Sequence, residues 1–247
     1  MFQLVWVNLM RNKRSVQLDL RADHGRRSFH ALAATSDVVV TNLRGSSLTK
    51  LGIAYDDVRA VHPGIVWCEA HGYSPATGDP DAPMYDDIAQ AASGLPHLME
   101  RGGLTAEPRF APTVLADKVC AFALAEAAVA GLLRRARTGT GTRIEVAMVD
   151  VMRSFVLVEH GAGATLEPPI GPAGYARALA AERRPQRTAD GHVAALPYSP
   201  ADWRAAFRAF GRADLTTCMI HSVNSCFGYV ISDSRVGPSA RRPLDRA

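Results

Sequence analysis

The sequence predicts an α/β fold: an open, doubly wound, Rossmann-like parallel sheet with flanking helices. Three observations predict it. Strand-like and helix-like runs alternate between residues 16 and 70, the pattern of layered α/β domains. Two runs read as strands, DVVVTN (37–42) and GIVWCEA (64–70), the first a run of branched residues typical of a buried parallel strand covered on both faces. A long Ala/Leu-rich helix then feeds directly into another strand-like run. With 47% hydrophobic and 21% charged residues among 247, the composition excludes wholesale disorder, and the chain is long enough to bury a substantial core.

The first element, VQLDL (16–20), alternates apolar and polar residues as a half-buried strand does. Asp23 can cap a helix over 24–34 whose Phe29, Leu32 and Ala33 share one face. The strand 37–42 follows, then a polar Gly/Ser loop, a helical turn at 47–51, a second at 55–61 and the strand 64–70. HGYSPATGDPDAP (71–83) is dense in Gly, Pro and Asp. It reads as an irregular loop at the carboxyl edge of the sheet, where open α/β sheets bind ligands. Residues 86–95 read as a helix closed by Gly94 and Pro96. The strongest helix is 117–136, with Asp117 at its start and Arg134, Arg135 and Arg137 at its end, charges that suit the helix dipole. TGTGT (138–142) stops it, a strand returns at 143–149, and a mostly apolar helix covers 151–160. A strand at 192–196 and a helix at 201–210 follow, and the chain loses periodicity beyond Leu215.

Composition removes several function classes. The net charge of +4 comes from 28 basic and 24 acidic residues, and the arginines are scattered among Asp and Glu rather than clustered, which argues against nucleic acid as a partner. Cys68, Cys120, Cys218 and Cys226 form no CxxC pair and no zinc spacing. Cys68 and Cys120 lie among apolar residues and read as reduced core thiols of a cytoplasmic protein. The longest apolar run, 121–133, contains Glu126 and falls short of a membrane span, and residues 1–10 lack a basic n-region and a cleavage site. There is no G-x-S-x-G elbow and no G-K-[S/T] phosphate loop, and Gly161 and Gly163 follow a helix rather than a strand, so a dinucleotide fingerprint fails. No metal set and no redox cofactor site is read from the chain.

Five segments, taken in order, carry a resemblance: NKRSVQLDL (12–20), DVVVTNLRGSSLTKLGIAYDDVRAVHPGIVWCEAHGY (37–73), YDDIAQAASG (85–94), ADKVCA (116–121) and RRARTGTGTRIEVAMVD (134–150). Together they resemble the class III CoA-transferases, the family of formyl-CoA transferase, carnitine CoA-transferase and α-methylacyl-CoA racemase. The resemblance runs over residues 4–214. It implies an acyl-CoA:carboxylate CoA-transferase in which Asp117 is the nucleophile. A carboxylate at a helix N-terminus is expected to be held ionised by the free N–H groups there. It would attack an acyl-CoA thioester to give a mixed anhydride and then an aspartyl-CoA thioester. Coenzyme A enters as substrate, with a small carboxylic acid as acceptor and no metal.

The resemblance also implies CoA-binding roles for Asn42 and Leu43, which stand where the family has an Asn-aromatic pair, for Lys50 in place of an arginine, and for Lys13 in a basic cluster. Lys118 is placed to steady the anionic intermediate. Each of these has a plainer reading: Asp117 as a helix cap, Asn42 as a turn former, Lys13, Lys50 and Lys118 as surface charges. Asp86 reads as structural support. Tyr85 stands where the racemase branch needs a histidine, and a phenol with a pKa near 10 is a poor base at neutral pH, so transferase is preferred over racemase. A non-catalytic CoA-binding or assembly module is the third alternative. Residues 1–160 are expected to form a large CoA-binding domain lacking the family's first strand, 161–215 a linker and the start of a small domain, and 216–247 a poorly specified tail. The sheet is therefore incomplete relative to the family, as in a truncated chain, and the family's interlocked homodimer is the expected assembly.

Overall fold

A computed structural model describes residues 2–216. Helix α1 (Phe2–Leu9) leaves Val5, Trp6, Val7 and Leu9 exposed. Residues 13–19 form no regular element and pair with no strand, which corrects the expectation of one at 16–20. A strand is stable only within a ladder, and none of the described strands lies beside VQLDL, so its alternation is left without a partner. The segment instead turns at Asp19, whose carbonyl accepts from the Ala22 amide and whose carboxylate accepts from the Arg21 amide. Helix α2 (Asp23–Ala33) begins one residue earlier than expected: Asp23 is its first residue and pairs with Arg26, while the cap position is Ala22.

Strands β1 (Val38–Thr41), β2 (Val66–His71) and β3 (Thr142–Ala147) form a parallel sheet in the order β1-β2-β3. The register aligns Val39 with Trp67 and Trp67 with Arg143, so alternate residues across the three strands share a face. Helices α3 (Gly45–Leu51) and α4 (Tyr55–Val61) connect β1 to β2. With α2 they cover the face that carries Trp67, where Ala33, Leu48, Ile53, Val58 and Ile65 close the core. Helix α3 ends on Gly52 in the left-handed conformation, φ +66°, as a C-terminal glycine allows. β1 lies at the sheet edge, and Val40 is 57% exposed rather than covered on both faces.

Helix α5 (Asp86–Ala92) and helix α6 (Leu95–Arg101) replace the single helix expected at 86–95. The break falls at Gly94, whose φ of +79° no right-handed helix accommodates. Helix α7 (Leu115–Thr138) packs on the opposite face of the sheet. At its closest approach a Cβ on Gly131 would stand 2.5 Å from Val66 Cγ1 and 3.1 Å from Ile144 Cδ1. Arg135 anchors its last turns, with Nη2 2.7 Å from Asp37 Oδ1 and Nη1 donating to the Gly64 carbonyl. The turn into β3 brings Gly141 against β2: its amide donates to the Pro63 carbonyl, and a Cβ there would lie 2.0 Å from the Ile65 carbonyl oxygen. Because that neighbour is backbone and cannot swing away, Gly141→Ala is expected to cost about 1–3 kcal/mol, measured as a lower urea midpoint with an unchanged m-value.

Apart from α6, these elements lie within residues 2–95 and 110–156, which make one compact unit that includes most of helix α8 (Met148–His160). Residues 96–109 and 157–216 belong to a second unit. There, β4 (Gln186–Arg187) and β5 (His192–Val193) form a short antiparallel ladder, two residues long instead of the expected 192–196. Helix α9 (Pro200–Ala209) is capped by Ser199, whose Oγ accepts from the Asp202 amide. Cys68 and Cys120 are buried and unpaired; Cys218 and Cys226 lie outside the described residues.

Candidate active site

The position of Asp117 follows from the direction of α7. Arg135, near its C-terminus, holds residues that immediately precede β1 and β2, so that end lies at the amino edge of the sheet. The helix has 24 residues, about 36 Å at 1.5 Å rise, whereas six-residue β2 spans only about 20 Å. Its first turn therefore reaches the carboxyl edge, the edge at which open α/β sheets bind ligands. Asp117 is the third residue of α7, not its cap; the cap position is Val114, which offers no side-chain acceptor.

The acceptor comes from α5. The buried carboxylate of Asp86 takes the Asp117 backbone amide on Oδ1 at 3.1 Å and the Gln90 side-chain amide on Oδ2 at 2.5 Å. Gln90, wholly buried, turns its Oε1 to the Ala111 amide at 2.8 Å. Since only an oxygen can accept from that N–H, the other end of the amide is the NH2 group that faces Asp86 and the Thr113 carbonyl. One helix thus grips both the segment entering α7 and the first turn itself. Sequence inspection missed Gln90; the available signal was a long polar side chain four residues after Asp86, hence on the same helix face.

The Asp117 carboxylate receives no hydrogen bond from another described residue and stands exposed at the helix start. Its pKa is raised above 3.8, first by partial loss of water and then by the charge of Asp86. The shift runs opposite to the one expected from a helix N-terminus with free N–H groups: loss of water and then the Asp86 charge favour the protonated form. The Asp117 charge is felt one turn further on, where burial and then Asp117 push the Cys120 thiol upward.

The other expected residues divide into three groups. Lys118 is exposed, and its ammonium donates to Thr113 Oγ1 at 2.5 Å, turned back to the entering segment. Asn42 and Leu43 follow β1 at the carboxyl edge, and both are exposed; the Leu43 amide donates to Thr41 Oγ1. Lys50, in the last turn of α3, and Lys13, before Asp19, are exposed, and neither ammonium has a partner among the described residues. The loop 71–83 lies against the start of α3, with Asp81 Oδ1 accepting from the Ser46 amide. Ser46, ahead of Arg44, holds the Asp81 carboxyl below its usual range. A cleft of about 340 Å³ opens at the same edge between His71, Ser74, Ala123, Glu145, Val146 and Asp150. Among the described residues no group of three His, Cys, Asp or Glu could hold a metal ion, and no helix is long and apolar enough to cross a membrane.

Known proteins are similar to this chain in sequence and in fold. The chain is 31% identical over 217 residues to the probable fatty acyl-CoA transferase Rv3272 of Mycobacterium tuberculosis, 83% of this chain and 54% of that protein. It is 30% identical over 214 residues to the succinyl-CoA:mesaconate CoA-transferase of Haloarcula hispanica, again 83% of this chain and 52% of the relative. The chain thus spans about half the length of these curated relatives. Among solved structures, it superposes on Rv3272 with a TM-score of 0.65 at 27% identity, covering 83% of this chain and 53% of the other. On a CAIB/BAIF family protein from Brucella suis the TM-score is 0.68 at 26% identity, covering 83% and 54%. The family model for CoA-transferase family III matches residues 2–221. A match over that much of the chain, joined to the shared parallel sheet and its flanking helices, makes this protein a member of CoA-transferase family III.

Proposed function

We propose that the protein acts as an acyl-CoA:carboxylate CoA-transferase with Asp117 as its covalent nucleophile. The observation that carries this reading is a solvent-accessible carboxylate without a donor, on a helix start that is fixed from behind by the buried Asp86 and Gln90. A side chain serving only as a cap would have its oxygens engaged by the helix amides. Here the capping task belongs to Asp86.

The reaction follows from that geometry. An Asp117 oxygen attacks the thioester carbonyl carbon, the carbon–sulfur bond breaks, and CoA leaves as thiolate, leaving a mixed anhydride on Asp117. The thiolate then attacks the aspartyl carbonyl carbon, releases the first acid as its carboxylate and forms an aspartyl-CoA thioester. An acceptor carboxylate repeats the attack on this thioester and again expels the thiolate. The thiolate finally takes the acceptor acyl group, and Asp117 is regenerated as a carboxylate. Charge and protons balance at each step, and coenzyme A is present only as substrate. A pKa raised above the ordinary carboxylate value makes Asp117 a stronger nucleophile once ionised.

Asn42, Leu43, Lys50 and Lys13 are proposed to line the path of the CoA moiety, with the two lysines meeting its phosphates as point charges. The working unit is proposed to be a homodimer. Lys50→Ala is expected to raise the KM for acyl-CoA about three- to tenfold with kcat within about twofold, the signature of a binding contact made equally in the ground and transition states. The nucleophile itself is tested by mixing the chain with an acyl-CoA, quenching and mapping peptides by mass. A hydroxylamine-sensitive adduct on the peptide containing Asp117 is expected. An adduct elsewhere, or exchange of the acyl α-proton with deuterated water without transfer, would overturn the assignment.

A further inference from the structure

We infer that Gln90 is the positioning residue of this site, setting where the Asp117 carboxylate stands without touching substrate. The inference rests on the reading of Asp117 as nucleophile and goes further, by naming what holds it. Gln90 is wholly buried and spends both ends of its amide on two different parts of the approach to α7. Its Oε1 fixes the Ala111 amide, and its Nε2 reaches Asp86 Oδ2 and the Thr113 carbonyl. Asp86 in turn receives the Asp117 amide, so the path from Gln90 to the nucleophile is two hydrogen bonds long. The Ser93 hydroxyl donates to the Gln90 carbonyl at 2.7 Å, which ties the end of α5 to the same residue.

Two consequences separate positioning from packing. A buried carboxylate such as Asp86 needs its donors, because leaving one acceptor oxygen dry and unpaired costs more than the bond contributes. Losing the Gln90 N–H therefore shifts Asp86 and, through it, the first turn of α7. A displacement near 1 Å in a reacting group costs about a hundredfold in rate, while the residues proposed to meet CoA, just after β1 and on α3, are untouched. The loss should thus fall on kcat and spare KM.

The test uses the full chain and two variants. Gln90→Glu keeps the acceptor for Ala111 and replaces the NH2 group that faces Asp86 and the Thr113 carbonyl; Gln90→Met keeps the volume and removes every side-chain polar contact. In both, the rate of adduct formation on Asp117 is expected to fall about a hundredfold, with the KM for acyl-CoA within about twofold. Amide exchange over residues 111–117 is expected to quicken about tenfold while that of 66–71 stays unchanged. Unchanged adduct rates, or unchanged exchange at 111–117, overturn the inference. If the parent chain forms no adduct, the nucleophile reading fails by itself, and the exchange measurement still decides whether Gln90 holds the helix start. Should neither variant fold, the parent decides: Ala111 and Asp117 amides exchanging as freely as solvent-exposed ones would overturn it.

Discussion

Asp117→Asn is expected to lower CoA transfer by at least about a thousandfold, the usual scale for deleting a covalent nucleophile. The same substitution is expected to leave the fold intact and slightly raise its stability at neutral pH. Asparagine is nearly isosteric, its backbone amide still reaches Asp86, and no other described residue bonds the side chain it replaces. The sign of the stability change comes from proton linkage. The folded-state pKa of Asp117 lies above 3.8, so the unfolded chain gives up this proton more readily than the folded one. Stability from this group is fully present below pH 3.8 and is lost as pH rises through the raised value. Above that value the parent carries the cost of an ionised carboxylate next to Asp86, and the neutral asparagine does not. Urea midpoints of parent and variant should therefore coincide in strong acid and separate in favour of the variant near neutrality. The acid limb of transfer by the parent should lie above pH 3.8, since only the ionised form attacks. A variant that retains transfer, or that unfolds more easily at neutral pH, would return Asp117 to an ordinary structural role.

What the sequence reveals and what it conceals here follow one division. The helix at 55–61 and the irregular loop at 71–83 are legible because their signals are local: helix-compatible periodicity in one, and Gly, Pro and Asp density in the other. VQLDL misleads because alternation announces a strand only where a neighbouring strand exists to pair with. The break inside 86–95 lies at a glycine that could equally have closed the helix or interrupted it. At the site, Asp117 is singled out as the candidate nucleophile by its setting among five ordered motifs, but its proton affinity is not legible. That depends first on the burial folding imposes and then on the charge of Asp86, 31 residues earlier. Gln90 is concealed for the same reason, since its partners at Ala111 and Thr113 are brought to it only by folding.

The largest loss of stability is expected at Trp67. Its indole is fully buried at the centre of the α2, α3 and α4 face, with the Tyr55 ring 6.4 Å away between centroids. Its Nε1 donates to Glu69 Oε1 at 2.5 Å, and the other oxygen of that buried carboxylate meets Arg143 Nη2 at 2.7 Å. Arg143 is also 2.7 Å from Glu145, and bonding to Glu69, first among its causes, raises the guanidinium pKa. Trp67→Ala removes the side chain that fills the core and one donor of the Glu69 carboxylate together. A large-to-small change of this kind costs about 3–5 kcal/mol, against a total stability of about 5–15 kcal/mol for a domain. Trp67→Phe separates the two contributions, because it retains most of the ring and deletes only the N–H, at about 1–3 kcal/mol for the donor lost to a buried carboxylate. Urea unfolding should rank parent above Trp67→Phe above Trp67→Ala. If the two variants fall together, the hydrogen bond to Glu69 dominates; if Trp67→Phe matches the parent, Arg143 alone suffices to hold the Glu69 charge.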